Sequence, residues 1–508
     1  MTPGTIWVGT SNGLIHVTRD NGKTWDDVSV AGLPNSARAD ISTIDASHTD
    51  PAAAYVAIDY HTSGDYRPYF YRTHDYGKTW TKIVTGLPVG QASGSFARVI
   101  RADTKKAGLL FAGTESGMYV SFDDGDHWQS LMLNLPVTSY RDLTIHGNDL
   151  IAGTYGRGIW ILDDYAVLRQ LTPALSSEPA HLFKPGDAIR VRRNVNSDTP
   201  FPPEVPHALN PPDGVVFYYS LSSKPAGDIT VEVLDASGHV VRHLSSAPVK
   251  PVPDAEHPPE PNFWLATPEP LPTNVGMNRA NWDLRYDAPP AFQHTFEINA
   301  NPEQTPASPE GPLAPPGVYT LVLTVNGAHY RQAVTVHNDP RSPATTAALA
   351  AQHALLMKLD ADVRAAWDDF RQVATLRTAV KQVGGKPSAV TAAADAYIAK
   401  LDSVAGDAEN GRGFRRRGGP TPPPTFMRMN GEFVQQLEAQ DNADMAPTGS
   451  MLAAESSACK DLATAQATWT RISTSDLVAF NAILTQNGLS ALPAPSRVKP
   501  LGCQVASR

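Results

Sequence analysis

Short runs of alternating apolar and polar residues fill the first third of the chain. Examples are GLIHVTRD at 13–20 and GMYVSFDD at 117–124. Alternation with a period of two residues is typical of β-strands that bury one face. Gly, Asn and Asp separate these runs, and such residues favour tight turns. The pattern therefore predicts short antiparallel strands up to about residue 170.

One motif recurs among these strands. Its copies are TRDNGKTWDDV at 18–28, THDYGKTWTKI at 73–83 and SFDDGDHWQSL at 121–131. A period of about fifty residues indicates a repeat architecture. The strand-like segments FARVIRAD, LLFAGT, GMYVSFD and WQSLML make up one complete unit at 96–133. Four antiparallel strands in each unit predict the blades of a β-propeller.

The motif has a structural interpretation. Adjacent turn residues such as Asn-Gly tolerate positive φ, and an Asp carboxylate can accept hydrogen bonds from the amides of its own turn. The Trp that follows begins the outgoing strand, and its ring can fill the space between sheets. We therefore assign structural roles to nine motif residues: Asp20, Gly22, Trp25, Asp75, Gly77, Trp80, Asp123, Gly125 and Trp128.

The first and last units are incomplete. The first begins at its second strand, IWVGT, and the last has no Gly-x-Thr-Trp after Asp163 and Asp164. Residues 1–170 thus predict about 3.5 blades, whereas propellers close with about four to eight. We expect an upstream segment or a second chain to supply the missing blades. We favour the upstream segment, and we therefore expect the chain to be the C-terminal part of a longer protein.

Two further regions follow. Residues 180–340 contain strand patterns such as GVVFYYSLSS and GVYTLVLTVNG between Pro-rich stretches, which predict an immunoglobulin- or fibronectin-like β-sandwich with Pro-rich loops. Residues 343–490 are rich in Ala and Leu at helical spacing and predict a helical bundle. The Gly-, Arg- and Pro-rich stretch at 405–426 predicts a flexible linker. The fold class is mainly β with an α-helical C-terminal region.

The motif T/S-x-D-x-G-x-T-W on hairpin turns resembles the Asp-box, or BNR, repeat. That repeat occurs in sialidases, xyloglucanase-type glycoside hydrolases and sortilin-type propellers. GRGIWILDD at 156–164 and GPLAPPGVYTLVLTVNG at 311–327 look like the large bacterial BNR-repeat proteins often labelled glycosyl hydrolases. The resemblance implies a propeller, an immunoglobulin-like module and a helical tail in that order, and a secreted or periplasmic location for full-length members. It implies no particular activity, because function resides in sites carried by a fold.

Composition narrows the possible partners. The formal net charge of −9 and the pI near 5.9 argue against nucleic acid or an anionic membrane as partner. The sequence contains no run of 18 apolar residues and no visible export signal. The two cysteines, Cys459 and Cys503, cannot form a four-cysteine zinc site. They either pair with each other in an exported protein or remain free thiols, and we expect no cofactor.

The longest loop on the expected pocket face is DYHTSGDYRP at 59–68. Its residues Asp59, His61 and Asp65 are the catalytic candidates, because carboxylates beside a His can perform acid–base chemistry on a glycan. A metal ion among these three is geometrically possible, but no ligand spacing supports one. The ligand-binding candidates on the same face are Tyr66, Arg67, Arg98, Arg141, Tyr155 and Arg157.

Three classes of function remain open from the sequence. The first is a propeller that binds a protein, peptide or glycan on its loop face. The second is a glycoside hydrolase that acts on polysaccharide through paired carboxylates, which such enzymes place roughly 5 to 10 Å apart. The third is a scaffold or assembly component.

Overall fold

The structure is a computed structural model. It describes residues 3–34, 38–192, 204, 208, 210–249, 265, 266, 269–296, 305–383, 388–406 and 423–495. Most of the predicted linker at 405–426 lies outside these described residues. The chain divides into two compact units, Met1–Leu175 and Ser176–Arg508.

The N-terminal unit consists of four antiparallel sheets that follow one another along the chain. The strands are β1 (Ile6–Gly9), β2 (Ile15–Thr18), β3 (Asp26–Asp27), β4 (Asp40–Ala46), β5 (Ala54–Asp59), β6 (Tyr69–Thr73), β7 (Thr81–Lys82), β8 (Ala97–Ala102), β9 (Leu110–Thr114), β10 (Met118–Ser121), β11 (Gln129–Ser130), β12 (Tyr140–His146), β13 (Asp149–Thr154) and β14 (Ile159–Leu162). The sheets are β1–β3, β4–β7, β8–β11 and β12–β14, and each keeps its strands in chain order. The first and last sheets have three strands, which are the counts that the sequence predicts.

The first strands of successive sheets are neighbours. β1 contacts β4, β4 contacts β8, and β8 contacts β12. A separate apolar cluster fills each gap between adjacent sheets: Val17 with Val56, Phe70 with Leu110, and Val120 with Leu150 are representative pairs. This stacking of small antiparallel sheets is propeller-like, and it buries the apolar positions of the alternating pattern.

The C-terminal unit begins with strands. They are β15 (Ala180–Leu182), β16 (Ala188–Arg190), β17 (Val215–Leu221), β18 (Thr230–Leu234), β19 (Val240–Ser245), β20 (Gly276–Trp282), β21 (Thr295–Phe296), β22 (Ala307–Ser308), β23 (Gly317–Val325) and β24 (Ala328–Asn338). One sheet has the order β15-β17-β20 and another the order β16-β24-β23-β18-β19. Residues of both sheets, such as Phe217 and Leu321, share one apolar cluster. The immunoglobulin-like identity of this pair of sheets stays a prediction.

Helices complete the unit. They are α1 (Thr346–Val383), α2 (Ser388–Ala405), α3 (Phe426–Gln440), α4 (Gly449–Arg471) and α5 (Leu477–Gln486). Their core includes Leu359, Phe433, Leu462 and Trp469, all fully buried. No helix in the described part of the chain combines the length and apolarity that crossing a bilayer requires.

Arginines join the sheets of this unit to its helices. Arg190 Nη1 lies 2.6 Å from Asp444 Oδ1, and Arg192 Nη2 lies 2.7 Å from Asp441 Oδ1. Arg285 Nη1 lies 2.5 Å from the other oxygen of Asp441. Several charge-assisted bonds that share two carboxylates fix the relative position of the elements they connect. The sandwich and bundle that the sequence treats as two regions therefore lie in one compact unit.

Candidate functional site

Three turns, at 18–25, 73–80 and 121–128, have nearly the same hydrogen bonds; we call them the aspartate turns. In each, the Asp Oδ1 accepts a 2.9 Å bond from the amide four residues later and a 2.8 Å bond from the hydroxyl two residues earlier. The second carboxylate oxygen lies 2.7 Å from the side chain of Thr24, Thr79 or His127. These bonds engage both carboxylate oxygens of Asp20, Asp75 and Asp123 inside their own turns. The bond from the Thr79 amide holds the pKa of Asp75 at about 2.

The second and third aspartate turns also pack on the preceding sheet. Gly77 has φ +83°, and a Cβ there would lie 2.6 Å from Val28 Cβ. Both the left-handed backbone conformation and the lack of space therefore favour glycine at this position. Trp80 Nε1 donates a 2.7 Å bond to the Val28 carbonyl. Trp128 Nε1 donates a 3.0 Å bond to the Ile83 carbonyl. These contacts fit the ring-between-sheets role that the sequence assigns to Trp80 and Trp128.

Trp25 differs from its two counterparts. Its side chain is 44% exposed, whereas Trp128 is 4% exposed. The physical reason is its position: Trp25 belongs to the first sheet, and no earlier sheet lies among the described residues to cover the ring.

Asp59 ends β5 and is the first residue of the loop that the sequence predicts to line a pocket. It is 3% exposed, and its carboxylate is fully engaged. His61 donates to it from the backbone N–H at 2.8 Å, and the His61 Nδ1 lies 2.7 Å from Oδ2. Arg98 Nη1 also donates to Oδ2, at 2.9 Å. The structure thus brings together three of the predicted site residues.

Arg98 extends this network across the next sheets. Its Nε and Nη2 both lie 2.7 Å from Glu115 Oε2. The Ser139 hydroxyl donates to the same oxygen at 2.6 Å. The chain His61–Asp59–Arg98–Glu115–Ser139 therefore runs through the second, third and fourth sheets at one end; we call it the polar chain. It cross-links the sheets and leaves two carboxylates bound to one guanidinium.

Rings cover the exposed end of the polar chain. The His61 imidazole stacks on Phe96 with centroids 4.9 Å apart and an interplanar angle of 13°. Tyr66 lies 5.9 Å from the same Phe96 ring. Because Nδ1 of His61 faces a carboxylate, that nitrogen carries the proton, and Nε2 is an acceptor in the neutral imidazole. His61 and Tyr66 form a partly exposed aromatic surface with polar tips.

Asp65 belongs to a separate cluster. Arg67 donates to it from Nε at 2.9 Å and from Nη2 at 2.5 Å, and the Tyr69 hydroxyl donates at 2.8 Å. The Arg67 guanidinium is the main reason that the pKa of Asp65 falls to about 2. A carboxyl with this pKa is ionised at neutral pH and does not serve as a general acid.

The other binding candidates lie around the fourth sheet. The Arg141 guanidinium sits 5.0 Å from the centroid of the Tyr155 ring, and Tyr155 is highly exposed. Arg157 accepts a 2.9 Å bond from Trp160 Nε1 through its carbonyl. The Tyr155 N–H donates a 2.9 Å bond to the carbonyl of Ser139, the last residue of the polar chain.

Sequence reasoning missed Glu115, Ser139 and Phe96. Glu115 follows the Gly-Thr that ends β9, and Ser139 precedes β12, so both lie on the loop ends that face Asp59. The signal was available in the loop positions, because residues on the same end of adjacent sheets lie near one another. Nothing in the spacing indicated which side chain Arg98 selects.

Among the described residues, one cluster of potential ligands could geometrically hold a metal ion, and it lies in the helices. One ligand atom each from Asp362, Glu455 and Cys459 falls within 4.8 Å of the others. Cys459 is disulfide-bonded, so its sulfur is not a thiolate, and Lys358 lies 2.5 Å from Glu455. The other cysteine of the chain, Cys503, lies outside the described residues. The lysine and the disulfide sulfur argue against a cation here.

No protein family matches the chain, and no curated protein matches it. Several solved structures resemble it weakly. A structure of YCF48 bound to D1 peptide is 19% identical over 32% of this chain and 48% of that chain, with a TM-score of 0.26. A GH74 enzyme from Niastella koreensis is 16% identical over 32% of this chain and 27% of that chain, with a TM-score of 0.25. A GH74 xyloglucanase from Xanthomonas campestris is 12% identical over 65% of this chain and 43% of that chain, with a TM-score of 0.26.

The chain thus spans less than half the length of each of these structures. Their TM-scores are too low to carry an argument about activity, substrate or partner.

Proposed function

We propose that the N-terminal unit is a binding module that holds a protein, peptide or glycan ligand on the loop end formed by residues 59–68. The supporting observation is that the carboxylates predicted to be catalytic are already engaged by neighbouring side chains of the protein. Asp59 is bonded by His61 and Arg98, and Asp65 by Arg67 and Tyr69. Carboxylates held in this way suit a rigid scaffold for ligand contacts.

Glycoside hydrolysis asks for a different arrangement. One carboxyl must keep a raised pKa so that it protonates the leaving group, and the second must face the sugar. Asp65 has the opposite shift, with a pKa of about 2. Asp59 is buried and shares one arginine with Glu115. These features favour binding over hydrolysis.

The ligand contacts proposed here are the accessible side chains around that scaffold. His61 presents its Nε2 edge, and Tyr66 presents a ring and a hydroxyl beside Phe96. Aromatic faces with polar edges bind both sugar rings and peptide side chains. We also infer that the aspartate turns are Asp boxes of the BNR family. The disulfide at Cys459 supports an exported protein, because disulfides persist in oxidising compartments.

The test compares binding and hydrolysis in the same preparation. Immobilised protein is probed with a glycan array and a peptide library, and polysaccharides are assayed in parallel for release of reducing ends. We expect Tyr66→Ala to weaken binding at least tenfold with unchanged melting temperature, and His61→Ala to weaken binding at least tenfold per folded molecule. Tyr76→Ala, in an aspartate turn at the other end of the second sheet, is the matched control. Hydrolysis that Asp59→Asn abolishes without unfolding the protein would replace this proposal with the hydrolase.

A further inference from the structure

The fourth sheet ends at β14, whereas the other three sheets continue into a short outer strand. The outer strands are β3, β7 and β11, each two residues long. The registers of the second and third strands define equivalent positions. Gly9 pairs with Ile15, Gly113 with Met118, and Gly153 with Ile159. Ile159 therefore occupies the position of Ile15 and Met118.

In the three sheets that have an outer strand, the carbonyl at this position accepts a hydrogen bond from the residue that directly follows that strand. The bonds are Val28 N to Ile15 O at 2.8 Å, Ile83 N to Phe70 O at 2.9 Å and Leu131 N to Met118 O at 2.9 Å. The Gly158 carbonyl accepts a hydrogen bond from the backbone N–H of Thr154 in β13 and so faces that strand. Because backbone groups alternate in direction along a strand, those of Ile159 and Ile161 face the open edge.

A groove lies where the tryptophan of an outer strand would insert. Trp80 bonds the Val28 carbonyl and Trp128 the Ile83 carbonyl, always in the preceding sheet. The next carbonyl in this series is that of Leu131. The groove beside it is lined by Leu131, Leu133, Leu150, Trp160 and Leu162. An added strand would therefore pair its backbone with the edge of β14 and place its aromatic side chain in the groove.

We propose that the open edge of β14 and this groove bind an extended segment of a partner polypeptide that carries an aromatic residue three positions before an aliphatic one. The pattern is taken from the occupied positions, which hold Trp25 with Val28, Trp80 with Ile83, and Trp128 with Leu131. These segments already pair within their own sheets, so a second copy of the chain has none of them to donate. Backbone hydrogen bonds give affinity in such strand addition, and the side-chain groove gives specificity. This surface is distinct from the loop end proposed above to bind ligand.

The probe is a fluorescein-labelled synthetic peptide with the sequence of residues 125–134, GDHWQSLMLN. It is titrated against the full chain and followed by fluorescence anisotropy. We expect saturable one-to-one binding. The peptide with Trp128→Ala, and a shuffled peptide of the same composition, should each bind at least tenfold more weakly. Binding of the shuffled peptide within threefold of the probe, or no binding of the probe, would overturn the proposal.

Two protein variants locate the site. Ile161→Pro removes an N–H that faces the open edge, and proline is tolerated on edge strands. We expect it to weaken probe binding at least tenfold. Ile161→Val keeps the N–H and most of the apolar side chain that lines the groove, so it is the reference, and the proline variant should bind the probe at least tenfold more weakly than the valine variant.

Hydrogen exchange keeps the test decisive if the proline variant does not fold. In the unsubstituted protein, saturating probe should slow exchange of the Ile159 and Ile161 amides at least tenfold. Unchanged exchange at these amides would place the peptide elsewhere and refute the proposal. Self-association that Ile161→Pro removes would identify a second copy as the occupant, which also contradicts a foreign strand.

Discussion

The indole nitrogen of Trp128 donates a 3.0 Å hydrogen bond to the carbonyl oxygen of Ile83, which directly follows the outer strand β7 of the preceding sheet. Both residues are almost fully buried. Trp80 makes the equivalent bond to Val28 one sheet earlier. The repeat motif therefore carries two pieces of information: its Asp closes a turn, and its Trp ties that turn to the sheet before it.

Replacing Trp128 by Phe should destabilise the N-terminal unit. Phenylalanine keeps a ring between the sheets but leaves the buried Ile83 carbonyl without its donor. An unsatisfied buried polar group costs about 1–3 kcal/mol. Urea unfolding followed by circular dichroism measures this free energy. Trp25→Phe is the matched control and should change the free energy of unfolding by less than about 0.5 kcal/mol, because Trp25 is 44% exposed. Equal losses at both positions would show that ring size, and not the hydrogen bond, sets the effect.

Replacing Gly77 by Ala should be costlier than an ordinary glycine substitution. A left-handed backbone conformation costs a non-glycine residue roughly 1–2 kcal/mol. The added methyl at Gly77 would also meet Val28 Cβ at 2.6 Å. We expect a total loss of about 2–4 kcal/mol in the free energy of unfolding. Gly238 has the same φ of +83° but open space around it, so Gly238→Ala measures the backbone term alone. A similar loss for both variants would mean that the turn moves away from Val28 without cost.

Local chemistry made the strands and turns of the N-terminal unit predictable. The Asn21-Gly22 pair requires positive φ, and the structure gives Asn21 φ +61° and Gly22 φ +84°. The alternating pattern likewise predicts which side of each strand is buried. No local signal in the sequence indicates that the sheets and helices of the C-terminal unit pack together. That joint depends on Arg190 meeting Asp444, 254 residues later, and no periodicity marks such a pair.

The pH dependence of stability should report the closed aspartate turn. The Thr79 amide and hydroxyl lower the pKa of Asp75 to about 2 in the folded protein, below its ordinary value of 3.8. The ionised turn therefore contributes stability above about pH 4, and the contribution is lost as the pH falls through about 2. Asp75→Asn should lower the melting temperature at pH 7 and flatten its fall between pH 4 and 2. An Asn variant that keeps the full acid transition would show that other carboxyl groups produce it.

Removing the cation of the polar chain should expose the cost of its buried carboxylate. Arg98→Gln leaves Asp59, which is 3% exposed, without a guanidinium. Breaking one side of a buried pair typically costs about 3–5 kcal/mol. Arg67→Gln removes a cation from the more exposed Asp65 pair and should cost no more than about 1 kcal/mol. Chemical unfolding of the two variants measures the difference, and a smaller loss for Arg98→Gln would mean that Asp59 reaches solvent.

Only part of the polar chain could be inferred beforehand. The long loop indicated Asp59 and His61, and the entry position of its strand indicated Arg98. The pairing of Arg98 with Glu115 depends on side-chain reach across a sheet, which a linear pattern does not specify. Asp65 and Asp59 stand six residues apart in one loop, yet the structure gives them different partners, Arg67 and Arg98. Residues that are close in sequence in this loop therefore do not all belong to one site.

The helices contain a carboxyl whose protonation should govern their stability at neutral pH. Asp362 is 1% exposed, and burial, with a further contribution from the nearby Glu455, raises its pKa to about 7. Because the folded-state pKa lies above the unfolded value, protonated Asp362 stabilises the fold below about pH 4, and this stabilisation is lost as the pH rises through about 7.

Asp362→Asn keeps a neutral side chain at every pH. We expect the variant to match the unsubstituted protein near pH 4 and to exceed its free energy of unfolding at pH 8 by about 2–4 kcal/mol. Urea titrations at pH 4, 6 and 8 measure this divergence. Asp395→Asn, at an exposed position of α2, is the matched control and should give parallel curves. If the Asp362 and Asp395 variants showed the same pH profile, the buried carboxyl would have a counter-charge that holds it ionised. Lys358, which lies 2.5 Å from Glu455, would be the first residue to test for that role.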